Sequence, residues 1–232
     1  MAEPHQRSLL SSGNAVWDRS GTDTLSRRAF LGLIGGLTFY GLALNAVLAT
    51  WAMQIHFRPG LVLMLVLAIG LPMAGIFIAS RAKSVPVALL GYHFLLIPLG
   101  LILGPILSVY INIGGMALVT RALTLTGCAV GVMTLLGLSY PNIFAKLGGV
   151  LFASLIALVV LRLISLFVPS LAAAGWIDWL AAAIFTLYIG YDCHRAMSIP
   201  ATGRNSIDVA ISLYLDIYNL FLTILRLLSR RD

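Results

Sequence analysis

Hydrophobic positions along this chain fall into long blocks, not into the short alternating runs of a half-buried sheet. After a polar stretch over residues 1–28, rich in Ser, Gly, Asp and Arg, apolar segments occupy residues 29–55, 61–80, 85–109, 115–138, 147–169, 176–197 and 207–228. Roughly 20 apolar residues carry an α-helix across a bilayer, and a helix satisfies its own backbone polar groups there. The pattern therefore predicts an all-α membrane protein, with a polar cytoplasmic tail at 1–28 and a seven-helix transmembrane domain at 29–232. The joints are short, so the helices should form a compact antiparallel bundle. Pro72, Pro98 and Pro105 lie inside spans and predict kinks, while Gly35, Gly36, Gly148 and Gly149 would let backbones approach closely. No internal repeat is evident.

Composition agrees with this picture. Of 232 residues 60% are hydrophobic and only 10% charged, with mean hydropathy +0.99, whereas soluble domains carry roughly 25% charged residues. That length accommodates the helices and little else, so no soluble catalytic domain is expected. The net charge of +7 does not signal nucleic acid, because the arginines are dispersed over the hydrophilic joints without a basic stripe. It instead sets orientation. With the N-terminus inside, the cytoplasmic side collects Arg7, Arg19, Arg27, Arg28, Arg81, Lys83, Lys146, Arg195 and Arg204, whereas the opposite joints hold Arg58, with Arg121 just inside the fourth span. Arg230 and Arg231 dissent if the last segment crosses fully; a re-entrant segment would return them. Ser26-Arg27-Arg28-Ala29-Phe30-Leu31 resembles a twin-arginine export signal, but six further apolar spans favour a basic flank to the first helix. Cys128 and Cys193 fall in different spans at different depths, so no disulfide is expected.

Position disposes of most of the eight acids. Glu3, Asp18, Asp23 and Asp232 are terminal. Asp178, between Trp176 and Trp179, fits an aqueous interface with its aromatic belt. Asp208 follows Ser206 at an expected helix start. Asp216 stands about nine residues into the last span, where a carboxylate facing lipid costs at least ~2.5–3.5 kcal/mol. Asp208, Ser212, Asp216, Asn219 and Thr223 fall on one helical face, a polar stripe suited to lining a pathway. Asp192 lies near the cytoplasmic end of the sixth span. Two aspartates in the same halves of consecutive antiparallel helices can approach, and two carboxylates in a dry site cannot both ionise cheaply. Such a pair can exchange protons and offers oxygens to a hard cation such as Ca²⁺, making Asp192 and Asp216 candidate metal-contacting groups. Arg81 could serve as counter-charge or, beside Lys83, as an interfacial anchor. Asp192-Cys193-His194 cannot chelate one ion on a helix, since neighbours point ~100° apart. His93 reads as a packing histidine, and Arg162 and Arg226 as outward-snorkelling side chains. No nucleophile–base pair, phosphate loop or zinc spacing appears, so an enzyme is not expected.

At Leu213-Tyr-Leu-Asp-Ile-Tyr-Asn-Leu-Phe-Leu-Thr-Ile-Leu-Arg-Leu-Leu228 the chain resembles the final-helix signature of the transmembrane Bax inhibitor motif family. Phe185-Thr-Leu-Tyr-Ile-Gly-Tyr-Asp192 and Gly100-Leu-Ile-Leu-Gly-Pro-Ile106 support it. The resemblance implies a bundle with the last helix central, and a pH-sensitive calcium leak controlled by an aspartate pair that falls on Asp192 and Asp216. It also implies an arginine latch at the end of the second helix, falling on Arg81. Some relatives carry a denser basic run there and an acid in the second span, which this sequence lacks.

The expected function is a calcium leak channel in a bacterial inner membrane, with Ca²⁺ as the permeant ion, H⁺ as regulator and no resident cofactor. Ser212, Asn219 and Asp208 are its expected pathway-lining residues. The rival expectation is a membrane-embedded regulator that restrains a partner such as a quality-control protease or cell-death factor, with residues 1–28 as the contact. A proton-coupled transporter is a third.

Overall fold

The computed structural model describes residues 24–165, 167–173 and 175–230. Among them the chain is helical almost throughout, and its only extended pairing is an isolated bridge between Thr24 and Thr202. The helices are α1 (Arg27–Gln54), α2 (Leu61–Arg81, π-helical over Val66–Gly70), α3 (Val85–Ser139), α4 (Pro141–Ala145), α5 (Gly148–Ser165), α6 (Pro169–Ala173), α7 (Trp176–Ser198) and α8 (Gly203–Ser229). Five of them, α1, α2, α3, α5 and α8, are long and apolar enough to cross a membrane. Of the polar tail, residues 1–23 lie outside the described residues. Residues 24–28 belong to the body of the fold, where the Ser26 hydroxyl caps α1 by accepting from the Ala29 amide at 3.2 Å.

The sequence pattern divides α3 into two segments, and the structure joins them in 55 residues with one break. A straight helix of that length would measure about 80 Å, far beyond a bilayer's ~30 Å core. Gly115, at φ 68° and ψ −176°, turns the chain where a side chain would be strained. Kinks were expected at the prolines. Pro98 and Pro105 instead sit in α3 without interrupting its helical dihedrals. Pro72 follows directly on the π-helical stretch of α2, whose wider turn accommodates a ring that would otherwise crowd the carbonyl four residues back.

Helix α8 is the most enclosed of the candidate spans, with 67% of its apolar window buried against 11–44% for the others. It packs on α1, α3 and α7. One face is fixed by hydrogen bonds that each satisfy a buried polar group. The Tyr214 hydroxyl donates to Asn45 Oδ1 at 2.7 Å, and Tyr218 donates to the Leu99 carbonyl at 3.1 Å. Asn45 in turn donates to the carbonyls of Leu96 and Gly41, both at 3.1 Å, and Tyr92 donates to that of Leu37 at 2.9 Å. Backbones come closest at other glycines than those singled out from sequence. Gly75 of α2 meets Gly91 of α3, and Gly137 of α3 meets Gly190 of α7, so tightly that a Cβ on any of these would strike a neighbouring main chain or ring. Of the expected four, Gly35, Gly36 and Gly149 face open space, and only Gly148 is packed, against Tyr191.

Two arginines gather the helix ends at one face of the bundle. Arg27 donates to the carbonyls of Ala196 (2.8 Å) and Ile199 (3.1 Å), closing the C-terminus of α7. Arg204 donates to the Ala82 carbonyl at 3.0 Å and to that of Ala79, closing α2. Both supply donors to carbonyls that a helix end leaves unpaired. Gly91→Val should destabilise the fold by about 1–3 kcal/mol, as overpacking does, read as a lower midpoint of thermal unfolding in detergent. An unchanged midpoint would mean that α2 and α3 are not in backbone contact.

Candidate functional site

Pro200 prevents α7 from continuing, and Ile199 before it is extended at φ −96° and ψ 160°. Two residues later Thr202 starts α8, its hydroxyl accepting from the Asn205 amide at 3.1 Å. The helix thus begins at Gly203, ahead of the expected start at 207. Asp208 lies inside it and not at its first turn, forming an i,i+4 ion pair with Arg204 at 2.9 Å. The tight link folds α7 and α8 into an antiparallel hairpin.

Within that hairpin Asp192 (2% exposed) and Asp216 (9% exposed) face one another closely enough for their side chains to interact directly. Each leaves its Oδ2 buried without a donor. Asp192 Oδ1 also lies 3.7 Å from Nη1 of Arg195, one turn later on α7, and the same nitrogen reaches the Ser212 hydroxyl at 3.4 Å. Ser212, Asp216 and Asn219 line a cavity of about 970 Å³ between α5, α7 and α8, with Asp192, Arg195 and Tyr188 on its other walls. Asn219 is shared with a second cavity of about 500 Å³, which continues along α8 past Thr223 to Arg162 and Arg226. The polar stripe of α8 therefore borders a groove that extends along much of the helix.

The structure brings together Asp192, Asp216, Ser212 and Asn219; Asp208 is held by Arg204 instead. Arg81 is not brought to the pair. It is exposed at the end of α2, its guanidinium 4.3 Å from the centre of the Phe77 ring, and the neighbouring cation of the aspartates is Arg195. Asp192, Cys193 and His194 point to separate partners, as helical neighbours must: Cys193 approaches Thr134 at 3.7 Å, and His194 the Ser198 hydroxyl at 3.4 Å. His93 packs between the Tyr40 hydroxyl and the Leu89 carbonyl, both at 2.8 Å. Among the described residues no group of three or more His, Cys, Asp or Glu could hold a metal ion. Two carboxyls alone fall short of the six to eight oxygens that Ca²⁺ takes.

Sequence reasoning misplaced a second cluster. Asp178, expected at an aqueous interface, is fully buried, and Arg162 and Arg226, expected to snorkel outward, both turn in to it at 2.5 and 3.0 Å. Arg204 was counted only as a basic joint residue. The signal available for the arginine cluster was one acid and several arginines at matching helix ends, which hydropathy alone does not reveal.

A multi-pass helical membrane protein with a buried acidic pair opening on a polar groove is the class these features define. The family model described as inhibitor of apoptosis-promoting Bax1 matches residues 26–232, and the chain belongs to that family, the Bax inhibitor-1 family. An uncharacterized protein of Helicobacter pylori is 36% identical over 130 residues, 56% of each chain. An uncharacterized membrane protein of Vibrio cholerae is 37% identical over 133 residues, covering 55% of this chain and 56% of the relative. A BI1-like protein of Arabidopsis thaliana is 39% identical over 122 residues, 50% of this chain and 46% of the relative. The chain spans about half the length of the curated relatives it matches.

If the two aspartates share one environment, removing them cannot be additive. Thermal unfolding of Asp192→Asn, Asp216→Asn and the double variant should yield a coupling energy of roughly 0.5–3 kcal/mol. Additive effects would place the carboxyls in independent surroundings.

Proposed function

We propose that the protein is a proton-regulated leak channel for calcium, crossing the membrane seven times with its N-terminus in the cytoplasm. The crossings are α1, α2, the arms 85–114 and 116–139 of α3, α5, α7 and α8. Arg27, Arg195 and Arg204 gather at the end of the bundle that carries the α7–α8 link, which suits a cytoplasmic face. Bacterial relatives suit a bacterial inner membrane.

The observation that carries the reading is the contact of two buried carboxyls at the wall of a large cavity of mixed polar and apolar lining. One proton held between them supplies the donor that each Oδ2 lacks. Loss of that proton leaves two negative charges in a site of low dielectric, which favours entry of water and a hard cation or separation of α7 from α8. Calcium is cargo in this scheme, met in passing by Asp192 and Asp216 with water completing its shell. Arg195 holds the counter-charge in the present conformation. A latch role for Arg81 requires its side chain to leave the Phe77 ring, one turn earlier on α2.

Calcium flux through purified protein in liposomes should vary across pH 5–8. Because asparagine cannot titrate, Asp192→Asn and Asp216→Asn should each flatten that profile, and profiles identical to wild type would reject the pair as the sensor.

The attachment of the N-terminal segment favours a second reading, a membrane-embedded regulator of a protein partner. Besides the Arg27 bonds, the Leu25 amide donates to the Ala201 carbonyl at 2.7 Å, so the segment leading into α1 is tied to the link that joins the two aspartate-bearing helices. A partner grasping residues 1–23 would pull directly on that link. A Golgi anti-apoptotic protein of vaccinia virus, 34% identical over 111 residues, is among the relatives. Deleting residues 1–23 discriminates: a regulator loses its effect on the partner, whereas a leak keeps conducting in liposomes.

A further inference from the structure

At the end of the groove away from the aspartate pair, Asp178 is 0% exposed although the flanking Trp176 and Trp179 are 52% and 57% exposed. Arg162 of α5 reaches its Oδ1 at 2.5 Å, Arg226 of α8 reaches the same oxygen at 3.0 Å, and Arg230 approaches Oδ2 at 3.1 Å. Tying α7 to its neighbours would take one arginine. Arg162 and Arg226 on one anion already leave the cluster net positive among the described residues. The Arg162 and Arg226 side chains remain 33% and 36% exposed, and each guanidinium carries five N–H donors, of which the carboxylate occupies few.

Arg162 and Arg226 also form the polar wall of the cavity of about 500 Å³ between α5 and α8. Its remaining wall is largely apolar, with Leu155, Leu158, Leu163 and Leu222. Positive groups at one end of an apolar slot match an amphiphile with an anionic head. Exposed tryptophans on the adjoining turn of α7 mark the depth at which lipid headgroups lie, and basic pockets between transmembrane helices are suited to phosphate-bearing headgroups. Guanidinium geometry fits phosphate oxygens bidentately.

We propose that Arg162 and Arg226, oriented by Asp178, bind the phosphate of an anionic phospholipid, one acyl chain of which lies in the slot between α5 and α8. The apolar walls favour a lipid over a free phosphate ion. A chain seated there reaches Leu155, Val159, Phe185 and Asn219, which line both cavities, and so closes the groove on its arginine side. The inference does not depend on the ion that the protein conducts, because its test reads binding alone.

Purified protein in detergent is titrated with phosphatidylglycerol, phosphatidylcholine or inorganic phosphate, followed by thermal unfolding and native mass spectrometry. Phosphatidylglycerol should raise the unfolding midpoint and persist as a discrete adduct, with phosphatidylcholine much weaker and inorganic phosphate inert. Arg162→Gln/Arg226→Gln should weaken the phosphatidylglycerol response roughly thirtyfold, about fivefold for each arginine near an anionic lipid surface. Equal responses to the two lipids, or a double variant that retains wild-type affinity, would overturn the site. A phosphate response matching that of phosphatidylglycerol would overturn the lipid assignment. The lipid series is read on the wild-type protein, so the decision stands even if the double variant does not fold.

Discussion

An ionised side chain inside a bundle surrounded by hydrocarbon must find a partner, water or a proton, because lipid offers none. That constraint orders this molecule. Its buried acids sit in the α7–α8 hairpin, and each is met by groups from that hairpin or from α5. The centre of the fold is correspondingly two-sided. Tyr214 and Tyr218 turn one face of α8 into a hydrogen-bonded seam with α1 and α3, while Ser212, Asp216 and Asn219 turn the other towards a cavity. The seam fixes the rotation of α8, and the rotation presents Asp216 to Asp192. Packing and chemistry are therefore coupled through a single helix.

Much of this was legible in the residues. Hydropathy located the helices to within a few positions, and the i, i+4, i+8 spacing of Asp208, Ser212 and Asp216 identified the polar face of the last one. The cost of a mid-span carboxylate pointed to Asp216, and hairpin geometry pointed to Asp192. What escaped was long-range pairing. Arg226 and Asp178 are separated by 48 residues and Arg204 and Ala82 by 122, and no local periodicity encodes such contacts. An arginine near a helix end reads as an interfacial anchor whether it snorkels, as expected for Arg162, or turns inward, as it does. The prolines misled for a related reason: what a proline does to a helix depends on whether the neighbouring turn can widen, as over Val66–Gly70, and on helix contacts that sequence alone does not specify. Glycine close contacts were likewise invisible, since Gly75 and Gly35 differ only in which neighbour faces them.

The aspartate pair and Arg195 lie at one end of the groove beside α8, and Arg162 and Arg226 at the other. A cation entering from the acidic end meets a rising electrostatic barrier towards Arg162 and Arg226. Under the proposed channel reading, conduction along the groove requires the arginine end to be rearranged or screened.

The contact between the first helix and the penultimate one has a consequence for biogenesis. Arg27 and Ala196 are 169 residues apart in the chain, yet that arginine helps to seal the C-terminus of α7. While the protein is being inserted helix by helix, α1 must wait for α7 to emerge before this contact can form. A truncated product lacking the α7–α8 hairpin leaves Arg27 without those acceptors.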